Sequence, residues 1–367
     1  MEVKEYTERD VLIWLNSIGI TNNIIDRLYE IFSDLRELLF LDRDKILGIG
    51  NIKVEYLEKI IKNRNNNCME ELFNKLENLK IKTITIFDED YPSSLENIYG
   101  KPYVLYGKGE ILEEDSLSIG IVGSRKATSY GKWACEKFSK ELVKMGVTIV
   151  SGLALGIDTV AHKTAIKEGG RTIAVLGNGI DIVYPKNNKE LYADIINNGM
   201  ILTEFPLKTP PLAYNFPQRN RIIAGLSLGI IVIEAKEKSG SLITAHLALD
   251  QGKDVFALPG NINSLYSKGT NKLIKDGARP LLDIEDIIEE ISQLQVKISQ
   301  DKKSKIDYTD LSEVEIKIVD TLKEGPLHSD LIAYKTGLDI SAVISIITIL
   351  ELKGIIKELT SRTFTLC

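Results

Sequence analysis

Residues Leu117–Thr128 read LSIGIVGSRKAT, an apolar run (Leu117–Val122) that opens through Gly123 and Ser124 onto the charged pair Arg125-Lys126. A continuous apolar run, rather than an alternating one, suits a strand buried on both faces of a sheet. The stretch Tyr130–Met145 behind it has helical periodicity, so the unit reads strand, glycine turn, helix. Five more runs of this texture follow, most of them leading into a helical pattern: Val147–Val150, Thr172–Leu176, Met200–Thr203, Gly229–Ile233 and Val255–Leu258. Strands alternating with helices make βαβ units with right-handed crossovers. The chain is therefore α/β, built on a mostly parallel sheet. Sites in such folds lie beyond the carboxyl ends of the strands.

Working outward, Ile81–Ile86 alternates like a strand and Tyr103–Tyr106 reads as another. Upstream, residues 1–65 form short helices over Asp10–Ile18, Asn22–Leu41 and Val54–Ile61. The turn Gly48-Ile49-Gly50 between two of them fits a helix-hairpin-helix-like module, whose backbone N–H groups face a phosphate, and equally a small SAM-like docking domain. Asn63–Asn67 is polar and reads as a turn or linker. Downstream, Ile284–Ile291 reads as a closing helix and Ser292–Asp307, polar and charged, as a linker. The last segment, 308–367, runs helix (Leu311–Leu322), helix (Ser329–Thr336, stopped by Gly337), helix (Ala342–Lys353, capped by Ser341) and two strands (Ile355–Leu359, Arg362–Leu366). That is the order of a winged helix. The expected domains are thus 1–65 helical, 79–291 α/β, 292–307 linker and 308–367 winged helix.

A length of 367 residues accommodates two or three domains of this kind. Glu2, Lys4, Glu5, Glu8, Arg9 and Asp10 leave no secretory apolar core near the start, and no run of about 18 apolar residues follows. A soluble cytoplasmic protein without membrane insertion is expected. Cys68, Cys135 and Cys367 lie far apart and form neither a disulfide framework nor a CxxC pair. With three histidines in all, no metal site is expected, and no cofactor either. The net charge of −6 hides an asymmetry: Ser116–Leu265 holds 17 Lys+Arg against 12 Asp+Glu, so a basic middle of +5 sits within flanks totalling −11. Such a middle fits a local polyanion site.

Five motifs fall at strand ends. Gly120–Thr128 offers glycines for close backbone approach, a helix N-terminus and the guanidinium of Arg125, with Gly123 and Ser124 in the turn. It lacks GxGxxG spacing, and the next strand ends in Ser151-Gly152 rather than an acidic residue, which argues against a dinucleotide site. Ser151–His162 provides a tight turn, with Asp158 placed as an N-cap; as a lone histidine, His162 reads as a packed residue rather than a catalyst. Leu176–Lys186 opens at Gly177, and Lys186 is a point charge within reach of a phosphate. Asn215-Phe216-Pro217-Gln218-Arg219-Asn220-Arg221 opens a helix with two arginines, two asparagines and an aromatic, the residue types that hold phosphates and stack bases of an unpaired strand. Lys238-Ser239-Gly240-Ser241 forms an anion nest at another helix start. A Walker motif, a GxSxG elbow and HExxH are all missing. Anion cradles without a nucleophile, base or metal cluster suggest binding more than catalysis.

Together these motifs resemble the DNA-processing protein A (DprA/Smf) family of bacteria, over Leu79–Ile291 and through the winged-helix-like tail. The resemblance implies an extended Rossmann-like domain that binds single-stranded DNA without sequence preference. It also implies protection of incoming strands and loading of the RecA recombinase during natural transformation or recombination, as a homodimer. Arg125 and Lys186 would contact phosphates, Arg219 and Arg221 would line the same groove, and Phe216 would meet a base. Ala213-Tyr214 departs from the basic or histidine residues frequent there in the family, although Tyr214 offers a stacking ring. A rival reading is a phosphoribohydrolase-like enzyme using a similar cradle, which would release free base from a nucleoside monophosphate. That group carries Pro-Gly-Gly-x-Gly-Thr and a catalytic Glu, where this chain has Lys238-Ser239-Gly240-Ser241 and no such Glu. Residues 308–367 carry six Lys+Arg against nine Asp+Glu, so the tail is expected to contact protein or regulate rather than to grip duplex DNA.

Overall fold

All six apolar runs are strands of one large sheet. Its members are β1 (Lys82–Thr85), β2 (Val104–Gly109), β3 (Ser118–Val122), β4 (Thr148–Ser151), β5 (Thr172–Val175), β6 (Gly199–Thr203), β7 (Gly229–Val232), β8 (Asp254–Ala257) and β9 (Arg279–Pro280). They lie in the order β1-β2-β6-β5-β4-β3-β7-β8-β9. From β6 to β9 every neighbouring pair is parallel, while β2 runs antiparallel to both β1 and β6. Along β5, side chains alternate between apolar clusters on the two faces: Ile173 and Val175 enter one and Ala174 the other. Fully burying each such Ile, Leu or Val contributes about 1.5–3 kcal/mol, which is why these strands are written as unbroken apolar runs. β9 has only two exposed residues and no such signature.

The structure, a computed structural model, describes residues 6–304, 311–323 and 325–366. The chain divides into the compact units Met1–Ile291 and Ser292–Cys367. The first begins with helices α1 (Glu8–Ser17), α2 (Asn22–Ile31), α3 (Glu37–Phe40), α4 (Arg43–Leu47), α5 (Val54–Asn63) and α6 (Asn66–Asn78). Part of the stretch expected as a turn, Asn63–Asn67, instead starts α6, because the Asn65 side chain accepts the Cys68 N–H at 2.8 Å. Trp14, Leu15, Leu28 and Leu57 share a continuous apolar cluster with Tyr103, just before β2, and with Tyr106 and Ile201 of the sheet. Tyr106 donates its hydroxyl to Asn16 Oδ1 at 2.9 Å, fixing α1 against β2. The remaining helices of this unit are α7 (Ser129–Lys144), α8 (Ile157–Lys167), α9 (Lys189–Asn197), α10 (Asn215–Leu226), α11 (Gly240–Asp250), α12 (Lys268–Lys275) and α13 (Glu285–Ile288). The closing helix expected over Ile284–Ile291 is thus a single turn.

The second unit starts with α14 (Ser292–Ser304), where a linker is expected up to Asp307; residues 305–307 lie outside the described residues. Its polar sequence is helix-competent but lacks an apolar stripe, the only feature by which periodicity detects a helix. Then come α15 (Glu313–Leu322), β10 (Leu327–His328), α16 (Ser329–Thr336), α17 (Ile340–Leu352), β11 (Ile356–Thr360) and β12 (Thr363–Leu366), with strand order β10-β12-β11. This is a winged helix around Ile318, Ile332, Val343, Ile347 and Phe364. Gly337 stops α16 at φ 69°, as expected. The cap of α17 is Asp339, which accepts the Ser341 N–H at 2.8 Å, and not Ser341 itself. Among the described residues no single helix is long and apolar enough to cross a membrane.

Candidate functional site

The sheet reverses its winding beside β3. The chain passes from β3 through β4 and β5 to β6 on one side, whereas β7, β8 and β9 are added on the other. At such a point the loops after adjacent strands diverge and leave a crevice. A cleft of about 510 Å³ lies there, lined by the turn after β3, the loop after β7 and the first turns of α10 and α11.

Local chemistry builds each wall. Thr128 caps α7 by accepting the Gly131 N–H at 3.1 Å. The Glu234 carboxylate in turn accepts the Thr128 N–H at 2.9 Å and its hydroxyl at 2.5 Å. Gly131 admits that carboxylate, since a Cβ there would stand 2.5 Å from Glu234 Cδ. The N-terminus of α7, expected to receive an external anion, therefore already holds an internal one. Two other helix starts face the cleft instead. Ser239 caps α11, and α10 begins at Asn215 with no side-chain cap. Pro217 sits in the first turn of α10, where a missing N–H leaves no hydrogen bond unmade.

Phe216 stands at the centre. Its half-buried ring lies on Gly177, where a Cβ would be 2.7 Å from ring Cδ1. The guanidinium carbons of Arg125 and Arg219 are 5.4 and 5.9 Å from the ring centroid, and the Tyr184 ring is 5.7 Å away at 36°. Both arginines are within cation–π range of one ring. Arg125 is exposed and has no carboxylate partner among the described residues. Arg219 is 4% exposed. It donates to the carbonyls of Gly152, at 3.0 Å, and Val175, and through Nε to Asn220 Oδ1 at 3.1 Å. Burial pulls its pKa down to about 10, with Asp158 opposing and Arg125 adding to that fall.

Asp158 is not the cap of α8 that the sequence suggests; Gly156, at φ 83°, occupies that position. The Asp158 carboxylate folds back to accept the N–H groups of Gly152 and Ala154 at 3.2 and 3.3 Å. Its burial raises its pKa against the pull of Arg219. His162 is fully buried, with Nδ1 2.6 Å from Thr172 Oγ1, and burial lowers its pKa to about 3. It is a packed neutral residue, as expected.

Of the residues singled out from sequence, Gly123, Ser124, Arg125, Phe216, Arg219, Asn220, Lys238, Ser239, Gly240 and Ser241 line the one cleft. Three do not. Lys186 is exposed, one residue beyond Pro185, which lines a smaller adjoining pocket that also contains Arg125 and Phe216. Asn215 and Arg221 face a separate groove on the other side of α10. Two residues advance a helix by about 200°, so Arg219 and Arg221 project in opposite directions. Arg221 forms a two-pronged ion pair with Glu204, 2.5 Å at each prong, and donates from Nε to the Gly100 carbonyl at 2.8 Å. The cleft also contains Tyr184, Lys236 and Asp158, which were not proposed as binding residues. Lys236 was legible as the neighbour of Lys238. Tyr184 meets Phe216 only through the tertiary fold, with no local signal.

These features define a doubly wound α/β protein with a cationic cleft, centred on an aromatic ring, at its switch point. The family model for DNA recombination-mediator protein A matches residues 82–292, and that for the DprA winged helix domain matches residues 305–360. The DNA processing protein DprA of Bacillus subtilis is 45% identical over 221 residues, covering 60% of this chain and 74% of that one. The X-ray structure of DNA processing protein A from Streptococcus pneumoniae has a TM-score of 0.67 at 36% identity, covering 78% of this chain and 99% of that one. The protein from Helicobacter pylori, solved for its single-stranded DNA binding mode, has a TM-score of 0.53 at 33% identity, covering 58% and 96% of the respective chains. The chain belongs to the DNA recombination-mediator protein A family.

Proposed function

We propose that this protein binds single-stranded DNA, independently of sequence, in the switch-point cleft. The reading extends to a cytoplasmic, homodimeric mediator that protects incoming strands and loads RecA recombinase during natural transformation or recombination. One observation carries it: Arg125, Lys236 and Lys238 converge on the same cleft as Phe216, with Asp158 the one carboxylate among the described lining residues. Phosphates of an unpaired strand match the cations and the two helix N-termini, and a base matches the ring. The relative from Helicobacter pylori, named for its single-stranded DNA binding mode, supports the same ligand. Binding rather than catalysis is proposed, because Asp158 is buried and committed to two backbone N–H groups, and the described lining residues include no histidine or cysteine.

The test is a titration of labelled oligo-dT across a salt series. Affinity should fall steeply with salt through counterion release. Arg125→Ala should weaken binding about tenfold for all sequences alike and reduce the salt slope by about one. Wild-type affinity in Arg125→Ala would remove the cleft from consideration.

A further inference from the structure

We propose that the groove on the opposite side of α10 is a second station for the same strand, one that holds bases rather than phosphates; this rests on the reading of the switch-point cleft as a single-strand site. The groove encloses about 710 Å³ between the turn joining α1 to α2, the loop at Tyr99 and the start of α10. Ala213, Phe216 and Pro217 line the first cleft, while Tyr214, Asn215 and Gln218 line the second. A strand leaving one enters the other by crossing a single helical turn.

The chemistry of the two sites differs. Arg221, the one cation among the described lining residues of the groove, is neutralised by its two-pronged pair with Glu204. Glu204 also accepts from Asn22 Nδ2 at 3.1 Å, so neither charge is left to meet a phosphate. What the groove presents instead is aromatic surface: Tyr99 is 93% exposed and Tyr214 63% exposed. Rings so exposed bury little area in the fold, and every base has a face that stacks on them. Exposed amides of Asn23 and Gln218 beside the rings offer donors and acceptors to base edges. The first cleft would grip the sugar–phosphate chain, and the second would add stacking without further charge.

The experiment compares full-length wild type with Tyr99→Ser/Tyr214→Ser on a short oligo-dT of about 6 nucleotides and a long one of about 24, lengths near the lower end of and beyond the about 4–16 nucleotides that a single-strand module covers. Both rings are exposed, so the double variant should melt like wild type. It should keep the short-strand affinity and lose on the order of tenfold on the long strand. Arg125→Ala should instead lose affinity at both lengths. Equal long-strand binding by the double variant and wild type overturns the second station, as does an equal loss at both lengths. Failure of wild type to bind either oligonucleotide would defeat the first-cleft reading itself. As an independent readout, photocrosslinking of iodouracil-substituted long strands should mark peptides containing Tyr99 or Tyr214.

Discussion

Arg125 and Arg219 flank the same phenyl ring in opposite surroundings. Arg125 stands in solvent and is free to pair with an incoming anion, whereas Arg219 is buried and already spends its donors on the carbonyls of Gly152 and Val175 and on Asn220. Gly152 leaves room for that guanidinium, for a Cβ there would stand 2.5 Å from Nη2. Removing Arg219 strands those carbonyls and takes from the Asp158 carboxylate the stronger of the two cations that favour its charge, Arg219 and Arg125. We expect Arg219→Ala to cost about 3 kcal/mol of stability, the penalty of an uncompensated buried group. Arg125→Ala should leave unfolding unchanged while weakening strand binding. Thermal denaturation of both variants decides the matter: an undiminished melting temperature for Arg219→Ala would mean that the guanidinium is not a structural tie. At this scale the motifs legible in the sequence at Phe216, Arg125 and Lys238–Ser241 come together in one cleft. Arg221, expected in the same groove as Arg219, faces the other side of α10, because chain proximity says nothing about which side of a helix a residue faces, or about a carboxylate arriving from Glu204.

Elements were legible in proportion to their apolar content. The buried parallel strands were found to within a residue or two, since burial on both faces dictates their composition. Polar α14 and two-residue β9 carry no apolar stripe to read, whereas α6 does carry one, Met69, Leu72, Phe73 and Leu76, behind the polar run Asn63–Asn67 that reads as a turn. What positions the site at this scale is the contact between two turns. Gly156, ending the loop after β4, presses on the turn after β3: a Cβ there would stand 2.7 Å from the Arg125 carbonyl carbon and closer still to the Ser124 carbonyl oxygen. The Ile157 N–H donates to that same Ser124 carbonyl at 3.1 Å. Gly156→Ala brings both left-handed strain, about 1–2 kcal/mol, and a displacement of Arg125. Its urea midpoint should fall, and its oligo-dT affinity should fall with it, although Gly156 carries no side chain to offer a ligand. A variant that is less stable yet binds normally would show that the turn-on-turn contact does not set the position of Arg125.

Across the whole molecule, the basic charge is local: Met1–Ile291 is net −5 as a whole, and only its stretch Ser116–Leu265 is basic. The basic middle of the chain lies in Met1–Ile291, where the cleft is, while residues 308–367 carry a net −3. The winged-helix unit has its own apolar core, built from Leu311, Ile318, Val319, Ile332, Ile347 and Leu350. The third helix of the winged helix, α17, occupies the position that a duplex-reading winged helix places in the major groove. Yet Ile340–Leu352 contains no lysine or arginine, and it exposes Ile344, Thr348, Ile349 and Leu352. Duplex affinity is dominated by cations that release counterions, and direct readout of guanine relies on arginine or lysine. This surface supplies neither, so a chain ending at Ile291 should retain the oligo-dT affinity of the full protein across the salt series. A fragment spanning 308–367 should fold on its own core and leave duplex DNA unshifted in gels at physiological salt. Tight duplex binding by that fragment, or a large loss of single-strand affinity on truncation, would assign the tail a direct part in holding DNA and overturn the division of labour that its charge implies.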